Sequence, residues 1–401
     1  MAGSIAAGNR RDYRLTSIDL LRGLVIVIMA LDHARDFFIT SMTMDPLNDP
    51  NASVPLVFSR WISHFCAPVF VFLAGTSAGL MTARKSALDL CKFLLTRGVW
   101  LIFVEIFVIS TIVTFAPGGI AQLDGKTLAF MQVIWAIGAS MVVLAFVQLL
   151  GRTVCLTLGA VIVLGHNALD SIWPASQGLM DASPPLWAAL HVPMSKAIGP
   201  FHFIFLYPLL PWIGVMLLGF AAAVLFERSP SERNRLLLQW GFGITALFVA
   251  LRLIDGYGEP NHWQAQASGV ATLIDFLNTT KYPPSLLFLA MTLGPALILC
   301  SFADRMRGFL SGALILYGRV PFAFYVAHFF VLHVLVLGLG ALQGHSIRQL
   351  MTFPPFFPPG YGLSLAGVYA VWLLVVVLLY PLCRWMARLK ANSRAWWLSY
   401  L

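Results

Sequence analysis

The stretch from Ile18 to Phe38, IDLLRGLVIVIMALDHARDFF, sets six ionisable groups in an apolar run: Asp19 and Arg22 near its start, and Asp32, His33, Arg35 and Asp36 near its end. Histidine is the side chain best suited to proton transfer near neutral pH, and it can also act as a covalent nucleophile. On a helix, Asp36 lies three residues on and can orient the His33 ring, while Arg35 faces elsewhere and Asp32 is placed to bond a neighbouring helix. Asp19 and Arg22 are also three apart and can pair. With Arg319 and a basic inner rim, Arg22 would form an anion site for the phosphates of a cytosolic donor. The plainer readings stay open: a histidine held in an interfacial charge network, and an arginine that snorkels beside a local ion pair.

His64, His202, His328 and His333 map close to the depth of His33, so five of the nine histidines gather at one level. Glu105 stands alone in its apolar run, which predicts a basic partner elsewhere. The five cysteines form no CxxC pair, which argues against a disulfide framework or a metal site. No P-loop, dinucleotide turn, nucleophile elbow or zinc-binding helix is visible.

The elements that must position these groups are membrane helices. Apolar residues make up 59% of the 401 positions and charged residues 11%, against about 45–50% and 25% in soluble domains. Ten runs are long enough, or nearly so, to span a bilayer: about 18–38, 57–82, 92–115, 129–150, 153–168, 200–226, 236–254, 284–303, 313–339 and 362–383. The expected fold is therefore all-α, a polytopic integral membrane protein of about ten transmembrane helices with both termini cytosolic. Residues 1–17 form a cytosolic segment, 18–383 a single membrane domain and 384–401 a cytosolic tail. The first run reads as an uncleaved signal-anchor. Basic loops stay cytosolic, and with this topology most of the 26 Lys and Arg residues lie inside, among them Arg10, Arg11, Arg14, Arg228, Arg233, Arg235 and Arg394. That placement accounts for the net charge of +9 without nucleic acid as a partner.

The long outer loops, 169–199, 255–283 and 340–361, are of the size used for lids and binding segments. Gly75 and Gly79 have the GxxxG spacing of close helix packing. Pro208 and Pro211 fall inside the sixth run, where they would free carbonyls at mid-depth. The scarcity of Lys relative to Arg, with much Ala and Leu, points to a bacterial inner membrane.

Four blocks carry a resemblance: RLTSIDLLRGLVIVIMALDHARDFF, FCAPVFVFLAGTSAGL, FLYPLLPWIGVMLLGF and YGRVPFAFYVAHFFVLHVL. Together they resemble the bacterial branch of the heparan-alpha-glucosaminide N-acetyltransferase catalytic-domain family, within the wider transmembrane acyltransferase superfamily. The resemblance implies transfer of an acyl group, acetyl in the simplest case, from cytosolic acyl-CoA to a sugar amine or hydroxyl on the far side of the bilayer. The partners would be the bilayer, a glycan or similar extracytoplasmic acceptor and, if the chain dimerises, a second copy. Acyl-CoA (acetyl-CoA) would be a co-substrate, with no metal.

His33 matches the superfamily's position after the Asp-x-x-Arg-Gly block, with Asp32 and Asp36 beside it. Arg22, Asp19 and Arg319 would attend the CoA phosphates, and Arg35, Arg60 and His328 the acceptor. The chain departs from the animal lysosomal members, in which an Asn stands near the Asp32–His33 position and the essential histidine follows in the luminal loop. Here no histidine falls between His33 and His64, so either can be the catalytic one, and the glucosaminide substrate does not carry over. The rival readings are a proton-coupled transporter or flippase for an anionic or acylated substrate, and a non-catalytic membrane scaffold.

Overall fold

A computed structural model describes residues 16–40, 45–49, 51–172, 184–393, 395 and 398. Arg10, Arg11, Arg14 and Arg394 lie outside the described residues, as does most of the N-terminal segment. The helices are α1 (Thr16–Phe38), α2 (Val54–Ser63), α3 (Cys66–Met81), α4 (Ala87–Phe103), α5 (Ser110–Thr114), α6 (Val133–Val147), α7 (Arg152–Gly165), α8 (Pro185–Leu190), α9 (Leu209–Phe226), α10 (Pro230–Ile254), α11 (Gly269–Leu277), α12 (Leu286–Phe302), α13 (Phe309–Arg319), α14 (Pro321–Leu342), α15 (Ile347–Leu350) and α16 (Leu365–Asn392). Among the described residues, nine helical stretches are long and apolar enough to cross a membrane. The 23-residue α1 adds a tenth by length, although it carries five charged residues. Each of the ten expected runs contains helix, including the short fifth one, where the helical stretch covers Arg152–Ser171.

Helix α1 tolerates its charges because protein surrounds it. It packs against α2, α3, α12, α13, α14 and α16, so its polar groups meet other polar groups instead of hydrocarbon. Small residues make these approaches close. A Cβ added at Gly23 would lie 1.8 Å from the Leu314 carbonyl oxygen, and one at Gly318 would lie 1.8 Å from that of Asp19. The expected glycine pair works in the same way between α3 and α9, since a Cβ at Gly75 would reach 2.1 Å from the Met216 oxygen. Without a hydrophobic drive between helices in lipid, such backbone contact supplies packing energy directly.

Three expectations about local structure are corrected. The fourth and sixth runs do not begin as helix: Thr127–Met131 is β1 and Phe201–Phe205 is β3, which with β2 (Met194–Ile198) form a sheet ordered β1-β3-β2. β1 and β3 run parallel, and β2 and β3 antiparallel. The alternating FHFIF of β3 suits a pleated strand, but it merges in sequence with the apolar helix behind it. Pro208 and Pro211 do not break a span: Pro208 is the residue before α9, and Pro211 falls in its first turn, where a missing N–H costs no helical bond. The ninth run is two helices. Val320, at φ −133° and ψ 48°, separates α13 from α14 because Pro321 disfavours helical geometry in the residue before it.

Two loops are pinned over the His33 end of α1. Buried Arg252 ends α10 by donating to the carbonyls of Asn261, Asp275, Phe276 and Asn278 at 2.7 to 3.0 Å. Buried Glu259 accepts from the Thr280 N–H at 2.9 Å and the Ser285 hydroxyl at 2.6 Å. Burial raises its pKa above the usual carboxylate value, against the pull of those hydrogen bonds. Behind α15, Leu363 donates to the Phe38 carbonyl and accepts from Thr40, tying the Phe-Pro-rich segment to the end of α1.

Candidate functional site

Asp32 is the hub of the His33 end. Its carboxylate accepts from Arg60 on α2 at 3.1 and 3.2 Å, from the Ser63 hydroxyl at 2.7 Å and from Arg35, with the Lys281 ammonium 3.9 Å away. This agrees with the expected bond to a neighbouring helix. Arg35, by contrast, does not face elsewhere. It bridges Asp32 and Asp36, reaching the latter at 2.7 Å, so Asp36 grips Arg35 and not the His33 ring. Buried charges persist when their attraction and hydrogen bonds offset the loss of water. Here Asp32, Asp36 and Asp45 balance Arg35, Arg60 and Lys281, with Asp45 standing 3.6 Å from Arg60.

His33 is oriented instead by α14. Its Nδ1 lies 2.7 Å from His328 Nε2, and His328 Nδ1 lies 3.3 Å from the Phe324 carbonyl. A carbonyl only accepts, so His328 carries its proton on Nδ1 and offers the Nε2 lone pair, and His33 must donate from Nδ1. That chain leaves the His33 Nε2 lone pair available. Phe329 stacks on the ring at 4.3 Å, which further fixes its plane. A base held by a second group, itself held by a third, is the arrangement used to position catalytic imidazoles.

The other histidines of that level separate. His64 is buried with neither ring nitrogen hydrogen-bonded, against Phe288 at 5.3 Å. His202 is on β3 and bonds Ser195 at 2.7 Å. His333 bonds the Val113 carbonyl at 2.9 Å and stacks on Phe115. The structure therefore brings His33 and His328 together and leaves His64, His202 and His333 in separate settings. Glu105 also departs from expectation. Instead of a basic group it receives the Trp135 N–H at 3.0 Å, a carboxylate satisfying the start of α6 from a neighbouring element of π-helix, Val104–Ile109.

Two cavities reach this end-to-end arrangement along α1. At the His33 end, a cavity of about 400 Å³ is lined by Asp32, His33, Asp36, Asp45, Arg60 and Gln132, with aromatic walls from Phe37, Phe130, Tyr207, Tyr282, Phe329 and Phe353. The long loops thus contribute Tyr282 and Phe353, as their lengths suggested. At the Arg22 end, a cavity of about 330 Å³ has a basic rim of Arg22, Arg97, Arg319 and Lys390 and an apolar interior that includes Ile26, Met29, Phe70, Ile134 and Tyr325. Arg22 donates to Ser77 at 2.9 Å and pairs with Asp19 at 3.4 Å, and Arg319 lies 3.8 Å from Asp19. Between the cavities stands a septum. Met29 and Tyr325 line one side and His33 and Phe329, each four residues on, line the other, a separation of about one helical turn or 5.4 Å.

The model of the heparan-alpha-glucosaminide N-acetyltransferase catalytic family matches residues 14–251, more than half of the chain. The chain belongs to that family. No curated protein sequence matches it. Membership in the heparan-alpha-glucosaminide N-acetyltransferase catalytic family makes it an integral membrane protein of the acetyltransferase type. The family match takes in α1 with both of its charged ends, Arg60, His64 and Arg97. It stops within α10, so Lys281, Arg319, Tyr325 and His328 come from beyond the matched region. Lys281, Asp45, Ser63, Tyr207 and Tyr325 were not foreseen as site residues. Lys281, the one Lys or Arg of the 255–283 loop, which also holds Asp255, Glu259 and Asp275, is the signal the sequence offers.

Proposed function

We propose that the protein transfers an acyl group, acetyl in the simplest case, from acyl-CoA in the Arg22-end cavity to an amine or hydroxyl of a sugar or similar acceptor in the His33-end cavity. The Arg22 end faces the cytosol and the His33 end the opposite side. The observation that carries this reading is the pair of cavities on one helix, one with a basic rim and the other with mixed charges and aromatic walls, divided by a turn that presents a lone-pair nitrogen. Basic residues at the rim suit phosphates. Aromatic walls with carboxylates and two arginines suit the faces and hydroxyls of a polyol.

In the direct reaction, His33 Nε2 takes the proton of the acceptor as its nitrogen or oxygen attacks the thioester carbon. The C–S bond breaks, and the proton passes to the departing CoA thiolate. His328 accepts the hydrogen bond of His33 Nδ1–H throughout, which keeps the ring in place and favours the imidazolium while it lasts. Asp32, Arg35, Arg60 and Lys281 act by holding α1, α2 and the loop before α12 in register around the ring. His33 in this proposal is the catalytic histidine and His64 is not.

Protein in nanodiscs supplied with radiolabelled acetyl-CoA and simple amino sugars tests the reading. Label transferred to sugar, or CoA released, in a His33-dependent manner supports it. Proton-coupled uptake into vesicles without acyl-CoA would replace it with a transporter. Arg22→Ala should weaken acetyl-CoA binding about 10-fold, the loss of one charge-assisted contact of 1.5 kcal/mol or so, with little change in turnover at saturation. Unchanged affinity in Arg22→Ala would remove the phosphates from that rim.

A further inference from the structure

Tyr325 is 4% exposed, and its hydroxyl has no hydrogen-bond partner. Buried hydroxyls nearly always find one, and leaving an O–H unmade destabilises a fold. This one lies on α14, one turn before the His328 and Phe329 pair, and its ring stands 6.5 Å from the His33 ring at 74° and 5.5 Å from that of His328. Tyr325 lines the Arg22-end cavity, whereas His33 lines the other. Near the septum, the donor-side lining beside it, Ile26, Met29 and Phe322, is apolar, and the charged group that bears on its phenol is Glu105, whose own Oε1 is also without a hydrogen-bond partner. Phenylalanine would fill the same space without the orphaned group.

Resting on the acyltransfer reading above, we infer that the Tyr325 hydroxyl is a catalytic hydrogen-bond donor to the thioester carbonyl oxygen at the septum. An acyl thioester entering from the Arg22 end brings its carbonyl up to the septum, on the side lined by Met29 and Tyr325. As the acceptor attacks, the C=O electron pair moves onto oxygen, and Tyr325 O–H donates a hydrogen bond to that oxyanion without giving up its proton. When the C–S bond breaks, the pair returns to reform the carbonyl, and the proton held by His33 leaves with the thiolate. Tyr325 and His33 thus serve one carbon from the two sides of the septum, the first bearing on its oxygen and the second on the incoming nucleophile. A donor fixed in a site that excludes water meets the developing charge without reorganisation, the condition under which a single such group counts most.

The test is Tyr325→Phe in nanodiscs, assayed with radiolabelled acetyl-CoA and glucosamine and by CoA release, alongside His33→Ala and wild type. Removing one oxyanion donor is worth about 10²–10³ in turnover. The expected result is a loss of that size in kcat, acetyl-CoA binding within about 2-fold of wild type, and an unfolding temperature equal to or above wild type, because the orphaned hydroxyl is gone. A Tyr325→Phe protein with full turnover, while His33→Ala is inactive, overturns this inference and leaves the acyltransferase reading standing. A lower unfolding temperature with weakened acetyl-CoA binding and unchanged kcat also overturns it, because Tyr325 would then only shape the cavity. No acetyl-CoA binding or turnover by the wild type overturns both.

Discussion

His33→Ala is expected to lower acyl transfer by about 10²–10⁴-fold, the usual worth of a positioned general base, while the protein stays folded and binds acetyl-CoA. The expectation rests on the proton order along α14: the Phe324 carbonyl fixes His328, and His328 fixes the His33 tautomer so that Nε2 carries the lone pair. It extends to the partner. His328→Gln retains an acceptor for the His33 Nδ1–H and should lose less than His328→Leu, which strands that donor in a buried place. CoA release at saturating donor, compared across wild type, His33→Ala, His64→Ala and the two His328 variants, measures all of this. Wild-type turnover in His33→Ala with loss in His64→Ala would transfer the role to His64.

Asp32→Ala should be the most destabilising change in the site, by about 3–5 kcal/mol, the scale for removing one member of a buried charge network. Without that carboxylate, the ion pairs left to these cations among the described residues are Arg60 with the more distant Asp45 and Arg35 with Asp36, while Lys281 loses its pairing with Asp32. Three cations would then face each other in a setting nearly closed to water. Folded yield and unfolding temperature in detergent would report it, with Asp32→Asn in between because its amide oxygen still accepts hydrogen bonds. An Asp32→Ala protein as stable as wild type would show that water reaches and compensates these groups.

The sequence made the axial positions legible and left the rotational ones dark. Hydropathy placed α1 within the bilayer and located its two charged ends, because length and apolar content are one-dimensional quantities. Gly75 and Gly79 were readable for the same reason: a four-residue spacing is a property of one helix. Which side chains meet was another matter. His33 and His64 share a level, yet His33 pairs with a residue 295 positions away, and no spacing along α1 encodes that. Helical spacing puts Arg35 on the wrong side because it compares residues through their Cβ positions, whereas the long guanidinium reaches both Asp32 and Asp36. The small sheet was hidden in continuous apolar runs, where a five-residue strand and the end of a helix look alike. Glu105 misled because a buried acid invites a search for a base, and the backbone N–H groups that open a helix are present in every sequence.

With the proposed orientation, the septum of a single turn would also make the membrane potential felt at one place. With a cavity on each side, most of the voltage would fall across the layer that holds Met29, Tyr325, His33 and Phe329. Moving one elementary charge through it is worth about 2.3 kcal/mol per 100 mV. In the direct scheme an acyl group goes one way and a proton the other, each taking the other's place on a heteroatom, so the exchange carries no net charge and runs alike at any potential. Were the acceptor's proton instead released on its own side and the thiolate reprotonated from the cytosol, each turnover would carry one positive charge outward. The thinness of the barrier thus ties the route of a single proton to the electrical state of the cell.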